Sequence, residues 1–550
     1  MKLYSDAVKQ AAKKCCSELT LREKIGQMVQ FNGRALRYLR KQYSDQEIAE
    51  KFPIGSFFCG DEVIDKSGRK LLPTAAIGEL KDKFKLPLLI AGDLECGVDG
   101  EYMPNHATLG AADDPELAYR FGSVLAEEAL NHGYHWTYGP IVDLTESLLS
   151  RSGTRSLGSD PEKVSALSTA ILKGLQDHGL NATAKHFPGE GKFPLVNPHL
   201  TAHINDTDRK TWFATVGKVF QNAIDSGVRS IMTTHVGLGF ADEGGLPATL
   251  SKKITTDLLR NELHFEGVVV TDALEMGGLV AFRDYEKRMI AAINAGADVL
   301  LWPETDIFDL VEKAIAEGKI KVERIEEAAR RVLEMKFGCG LMGENKLVIP
   351  PAPGKRFSET AREVAEKGTS VVLDKKNNLP LEIKPGTKIL VAVVDDPALL
   401  VGQDLRQYAP IKHCLDELEA RGAELTLMDN PNCLTLRTME MENVHYDCMV
   451  ALVAQQPLYE VRLCGWCCEI LWLMNHHHHS KVYVISLENP LIQFENPGTT
   501  ATIINACSSC REAQIAAIKV LCGEIPGTRN CPYGIEVDTR AMDTWEKLDF

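Results

Sequence analysis

The segment Gly267-Val-Val-Val-Thr-Asp272, continued by Ala273-Leu-Glu-Met276, constrains this chain more than any other. A run of β-branched residues reads as a strand buried on both faces, as in a parallel sheet. An acid at its C-terminal tip then stands at the mouth of an α/β sheet or barrel, where active sites lie. Asp272 is the first candidate for a catalytic group.

Seven further apolar runs of this form lie at residues 25–31, 54–59, 88–93, 135–143, 182–187, 230–235 and 298–302. Between them, stretches such as 115–131, 161–178, 209–226 and 284–294 have helical periodicity, and several open on Asp or Thr at the N-cap position. Strands alternating with helices predict parallel βαβ units, and eight of them predict a (β/α)8 TIM-type barrel.

The residues at the strand tips say more than the count. They are Asp93, Asp143, Lys185 with His186, His235 and Asp272. Each taken singly could be a structural ion pair, but a fold gains little from charged groups at the ends of buried strands, which must be desolvated or paired. Five such tips together read as a polar pocket. Two loops add to it. Residues 151–161 hold Arg155 among glycines, and residues 185–199 run from Lys185-His-Phe-Pro-Gly189 to His199. Pro and Gly at this density make a shaped loop that returns His199 toward its own strand tip.

The strings AKHFPGEG and GVVVTDALEM, with RSLGSDP before them and LPATLS and LLRNELHFEG between them, resemble glycoside hydrolase family 3 over roughly residues 20–340. Within it they are most similar to the bacterial β-N-acetylglucosaminidase branch. The resemblance implies that Asp272 is the nucleophile of a retaining double displacement, forming a covalent glycosyl-enzyme. It implies that His199 is the general acid/base, a role that an imidazole with an unperturbed pKa of about 6.5 suits at neutral pH. Asp93, Arg155, Lys185, His186 and, from its own strand tip, His235 are the substrate-binding candidates. Acid, guanidinium and ammonium together match hydroxyls that both donate and accept. No cofactor or metal is implied.

Asn197 stands where the branch has the aspartate that orients and charges the loop histidine, and the loop is one residue longer between Gly191 and His199. Glu190 and Asp206 are the other acids at hand. The expected activity is removal of a terminal β-linked sugar, N-acetylglucosamine first, from a small glycoside or oligosaccharide. A β-glucosidase, a phosphorylase using phosphate as acceptor, and an impaired sugar-binding homologue stay open as alternatives.

A net charge of −15 argues against nucleic acid or an anionic membrane as partner. The N-terminus lacks an apolar signal core, and fifteen cysteines fit a reducing interior, so a cytoplasmic protein is expected. Cys464-Gly-Trp-Cys467 and Cys507-Ser-Ser-Cys510 have zinc-ligand form, but the 39 residues between them exceed the usual spacing. Residues 476–479, four histidines, read as a natural loop.

Residues 1–349 are assigned to the barrel and Pro350-Pro-Ala-Pro-Gly354 marks a linker over 350–356. Residues 357–550 then resume the strand pattern at 388–394, 424–428, 448–454, 482–487 and 501–504, with a helix at 512–521, which predicts an α/β sandwich on a largely parallel sheet. Its expected roles are to cover a barrel face, lend a loop near Arg462 or His476, or support a homodimer.

Overall fold

Thr20-Leu-Arg-Glu23 is a capping box: the Thr20 hydroxyl accepts from the Glu23 N–H at 3.2 Å, and the Glu23 carboxylate accepts from the Thr20 N–H at 2.8 Å. In the computed structural model the chain is therefore helical over Leu21–Gln27, and the first strand, β1, is Val29–Asn32. The strand expected at 25–31 is corrected in its front half, because the cap starts a helix that carries Ile25 into the core. The structure describes residues 3–60, 63–64, 70–71, 77–98, 100–146, 153–190, 198–430, 445–455, 481–495 and 501–534.

The other seven runs contain β2 (Ser56–Phe58), β3 (Leu89–Gly92), β4 (Trp136–Thr137), β5 (Thr183–Phe187), β6 (Ser230–Thr233), β7 (Val268–Thr271) and β8 (Leu300–Leu301). β4 is far shorter than the 135–143 run, since Gly139-Pro140 follows it and proline has no N–H to give to a ladder. β8-β1-β2-β3-β4 form one parallel sheet and β7-β6-β5 another. Parallel bridges from Trp136 to Asn181 and from Ile141 to Lys185 link β4 to the β5 side, and one from Val270 to Val299 links β7 to the β8 side. Helices such as Pro115–Asn131, Pro161–Asp177, Val216–Asp225 and Tyr285–Ala295 alternate with the strands, giving an α/β fold.

Burial of polar atoms in these sheets is compensated. The Trp136 indole N–H donates to Thr183 Oγ1 at 2.8 Å and to Ser230 Oγ at 2.9 Å. Asp298, fully buried, pairs with Arg260, with Arg324 at 2.8 Å and with Arg331 at 3.2 Å, and accepts the Val269 N–H at 3.0 Å. That knot fastens β7 and the start of β8 to the helix Val322–Gly338.

The chain divides into two compact units. One comprises Met1–Glu101, Ala118–Asp143 and Ser165–Gly354; the other comprises Tyr102–Leu117, Leu144–Val164 and Lys355–Phe550. The second unit carries a six-stranded sheet of β9 (Ser370–Leu373), β10 (Thr387–Val394), β11 (Ala423–Asp429), β12 (Cys448–Val453), β13 (Lys481–Ser486) and β14 (Thr502–Asn505), in the order β9-β14-β13-β12-β10-β11. Only β9, an edge strand that the sequence pattern did not announce, is antiparallel. Alternate residues sort to opposite faces: Ile389, Val391 and Val393 join one apolar cluster, Leu390, Ala392 and Val394 the other. Both faces of the sheet are therefore covered, which is why its strands read as unbroken apolar runs.

Within this unit Thr108 Oγ1 donates to the Ala506 carbonyl at 2.7 Å, and the Tyr533 hydroxyl donates to the Gly153 carbonyl at 2.9 Å. The segments around Thr108 and Gly153 thus pack with the C-terminal part of the chain. Cys507 and Cys510 are free thiols, and Cys510 caps the helix Arg511–Leu521. Cys464, Cys467, Arg462 and residues 476–479 lie outside the described residues. Among the described residues no cluster of three or more His, Cys, Asp or Glu is arranged to hold a metal ion, and no helix is long and apolar enough to cross a membrane.

Candidate active site

Asp272 follows the last residue of β7, and its backbone N–H donates to the Thr233 carbonyl of β6 at 2.9 Å. One carboxylate oxygen accepts the Ala273 N–H at 2.7 Å. Burial alone would push this carboxyl up. The His186 and His235 imidazoles, the Ala273 N–H and His199 outweigh it and hold the carboxyl below the ordinary carboxylate value. The group is a half-buried carboxylate that these neighbours favour in its ionised form.

His186 lies on β5, where Nδ1 meets Asp143 Oδ2 at 2.7 Å and the His186 N–H donates to Asp143 Oδ1 at 3.2 Å. Burial opposes a charged ring there, but Asp143, then Asp272, raise its pKa above the ordinary histidine value. Lys185, its neighbour, is almost fully buried and pairs with Asp93 at 2.7 Å and with Glu95 at 2.8 Å. Asp93 is half exposed and Glu95 largely covered, so Asp93 keeps an open side while Glu95 anchors the ammonium. Sequence reasoning passed over Glu95, although a second acid two residues past a charged strand tip was legible. It also passed over Tyr138, fully buried, whose hydroxyl donates to Gln30 Oε1. Burial and the charges of Asp93 and Asp272 raise the Tyr138 pKa well above its ordinary value, so it stays a neutral donor.

His235 is the remaining strand-tip candidate for binding the sugar. It is fully buried at the end of β6, with Nε2 donating to the Ala273 carbonyl at 2.9 Å and Nδ1 at 3.0 Å from Thr249 Oγ1. Burial lowers its pKa despite Asp272. Both ring nitrogens thus have partners within the protein, one of them the carbonyl of the residue after Asp272.

His199 is exposed, and main-chain bonds fix its segment: Gly277 N–H donates to the His199 carbonyl at 2.8 Å, and Gly278 N–H to the Pro198 carbonyl at 2.9 Å. Gly277 and Gly278 open the short helix Gly277–Val280 just beyond Asp272. A Cβ on Gly277 would stand 2.2 Å from the Leu200 carbonyl oxygen, and one on Gly278 would stand 2.5 Å from that of Pro198. Only glycine lets the two backbones approach this closely. Asn197 lies outside the described residues, as does the rest of the loop at 191–197. Glu190 and Asp206 are among the described residues. Arg155 belongs to the second unit, ending the turn Gly153–Arg155, where its carbonyl accepts from His106 Nδ1 at 3.0 Å.

Known proteins resemble this chain in sequence and in fold. The profile of the glycosyl hydrolase family 3 N terminal domain matches residues 20–335. A β-N-acetylglucosaminidase/β-glucosidase of Cellulomonas fimi is 27% identical over 488 residues, covering 83% of this chain and 85% of that protein. A β-hexosaminidase of Methylobacillus flagellatus is 31% identical over 186 residues, covering 34% of this chain and 52% of that protein, about half its length. Among solved structures, a β-glucoside phosphorylase shares the fold with a TM-score of 0.80 at 22% identity, over 96% of this chain and 97% of that one. The profile match spans more than half of the 550 residues and takes in the strand that ends at Asp272, and on that ground the chain belongs to glycosyl hydrolase family 3.

Proposed function

We propose that this glycosyl hydrolase is a retaining, exo-acting β-glycosidase that releases a terminal sugar, N-acetylglucosamine first, from a small glycoside or oligosaccharide. The observation that carries the reading is the Asp272 carboxylate, held ionised at a strand tip by His186, His235 and the Ala273 N–H. Asp272 attacks the anomeric carbon, and the leaving oxygen takes its proton from His199. Water then displaces Asp272 with the same histidine as base. Asp93, Lys185 and His186 bind the hydroxyls of the sugar.

On this reading residues 1–349 form a (β/α)8 barrel, 350–356 a linker and 357–550 an α/β sandwich, in a cytoplasmic protein that works alone or as a homodimer. The linking bridges between the two parallel sheets support the barrel, and the free thiols of all described cysteines suit a reducing compartment. A panel of 4-nitrophenyl glycosides, assayed with and without inorganic phosphate, tests the reading and separates hydrolysis from phosphorolysis. Turnover of none of them would overturn it.

His199→Ala should slow glycosides with poor leaving groups by about 10²–10⁴-fold, and activated aryl glycosides far less, because only the former need a proton. Equal losses on both would show that His199 is not the acid. Gly277→Ala probes the same step through the backbone. Its methyl must push Leu200 and His199 away, and a displacement of about 1 Å costs on the order of 10²-fold in a positioned group. The loss should again fall on poor leaving groups; a uniform loss, or none, would separate the glycine anchor from His199.

A further inference from the structure

A cavity of about 940 Å³ opens at the C-terminal ends of β1 and β8, and Leu274 and Glu275, just past Asp272, form part of its wall. Arg288, on the helix Tyr285–Ala295, lines it while only 9% exposed. Its Nε and Nη1 are buried with no hydrogen-bond partner, and among the described residues no carboxylate ion-pairs with it. Its guanidinium lies over the Tyr285 ring, 5.6 Å from the centroid. The Trp302 indole N–H, at the end of β8 in the same cavity, is also buried without an acceptor.

The other cation of the cavity is committed elsewhere. Arg34 pairs with Glu275 at 2.6 Å and stands over the Trp302 ring, 5.3 Å from its centroid. Glu304 and Asp306 border the cavity, yet leave Arg288 unpaired. A buried guanidinium without a counter-ion is costly, and so is a buried donor without an acceptor. Here two such groups line one cavity whose wall includes the residues two and three past Asp272, and both lack the same thing, an oxygen acceptor. A planar guanidinium in a low-dielectric setting selects carboxylate and phosphate.

We propose that this cavity is an oxyanion-binding subsite next to the scissile bond, in which Arg288 takes a carboxylate or phosphate group carried by the leaving part of the substrate. The inference rests on the glycosidase reading of Asp272. It makes Arg288 a specificity determinant: a neutral leaving part leaves the guanidinium unpaired, while an anionic one satisfies it.

The test compares three disaccharides that share the terminal sugar and differ at carbon 6 of the reducing-end unit: neutral hydroxymethyl, carboxylate and phosphate. The wild type should favour a charged compound over the neutral one by about 10- to 100-fold in kcat/KM, the size of one hydrogen-bonded charge pair. Arg288→Gln should bring the ratio near one, Arg288→Lys should restore part of it, and added salt should shrink it in the wild type. Whether carboxylate or phosphate gains more identifies the group.

Free inorganic phosphate is the alternative source of the oxyanion. In that case its oxygen attacks the anomeric carbon of the glycosyl-enzyme, the bond to Asp272 breaks with its electron pair returning to the carboxylate, and sugar 1-phosphate accumulates. That product should then vanish in Arg288→Gln. Equal kcat/KM for charged and neutral compounds with no response to phosphate, or a preference that survives Arg288→Gln, overturns the inference. Failure to cleave even the neutral compound would sink the glycosidase reading instead. Calorimetric titration with inorganic phosphate then decides for the subsite: binding that Arg288→Gln abolishes sustains it, and binding indifferent to that change ends it.

Discussion

Asp272→Asn should lower kcat by about 10⁴-fold or more with the thermal transition unchanged within a few degrees, since the amide keeps the shape but cannot attack carbon. A 2-deoxy-2-fluoro glycoside should label the wild-type enzyme at Asp272, and mass mapping of the label to any other acid would overturn the assignment. The pH dependence has a definite sign. Although burial alone would raise it, the folded carboxyl is lowered from its ordinary 3.8 by His186, His235, the Ala273 N–H and His199. The carboxylate therefore stays ionised below that value, and on the proposed mechanism the acidic limb of kcat/KM from this group lies below 3.8 too. A limb above it would mean that some other group sets the profile.

Asp298→Asn should destabilise the protein by about 3–5 kcal/mol, the cost of breaking a buried ion pair from one side. Three guanidiniums, from Arg260, Arg324 and Arg331, would be left facing one neutral amide. Denaturant unfolding followed by tryptophan fluorescence gives the number, and a loss below about 1 kcal/mol would show that the knot is dispensable. Burial disfavours the Asp298 anion, but the three arginines and the Val269 N–H lower its folded pKa far below 3.8. A depressed folded value stabilises the native state above the unfolded pKa and fades as pH falls below it. The wild type should therefore lose this contribution on acidification from about pH 4 downward, and the variant should lack that part of the acid transition.

The sequence announced those features whose cause is local. Runs such as Val268–Thr271 and Ser230–Thr233 are buried on both faces, so their β-branched character shows without any knowledge of neighbours. The helix Leu21–Gln27 was hidden, because Ile25, Met28 and Val29 make one apolar run across a helix end and a strand start. The capping box ahead of it was the legible signal. β9 was hidden for another reason: a short antiparallel edge strand needs its partner β14 to exist, and that pairing spans residues 370 to 505.

The same division holds in the site. Asp272, Lys185 and His186 stand out as charged groups on apolar strands. The hydrogen bonding of His235 does not, because its two partners, Thr249 and the Ala273 carbonyl, reach it from other segments. Nor does the unpaired state of Arg288, which only the packing of its helix can reveal.

The glycine anchor bears on how such an enzyme can be redesigned. Gly277 and Gly278 grip the His199 segment by main-chain carbonyls alone, so the grip is blind to side-chain identity at 198 and 199. Residue 199 can thus be exchanged for another ionisable group, such as glutamate, without loosening the attachment.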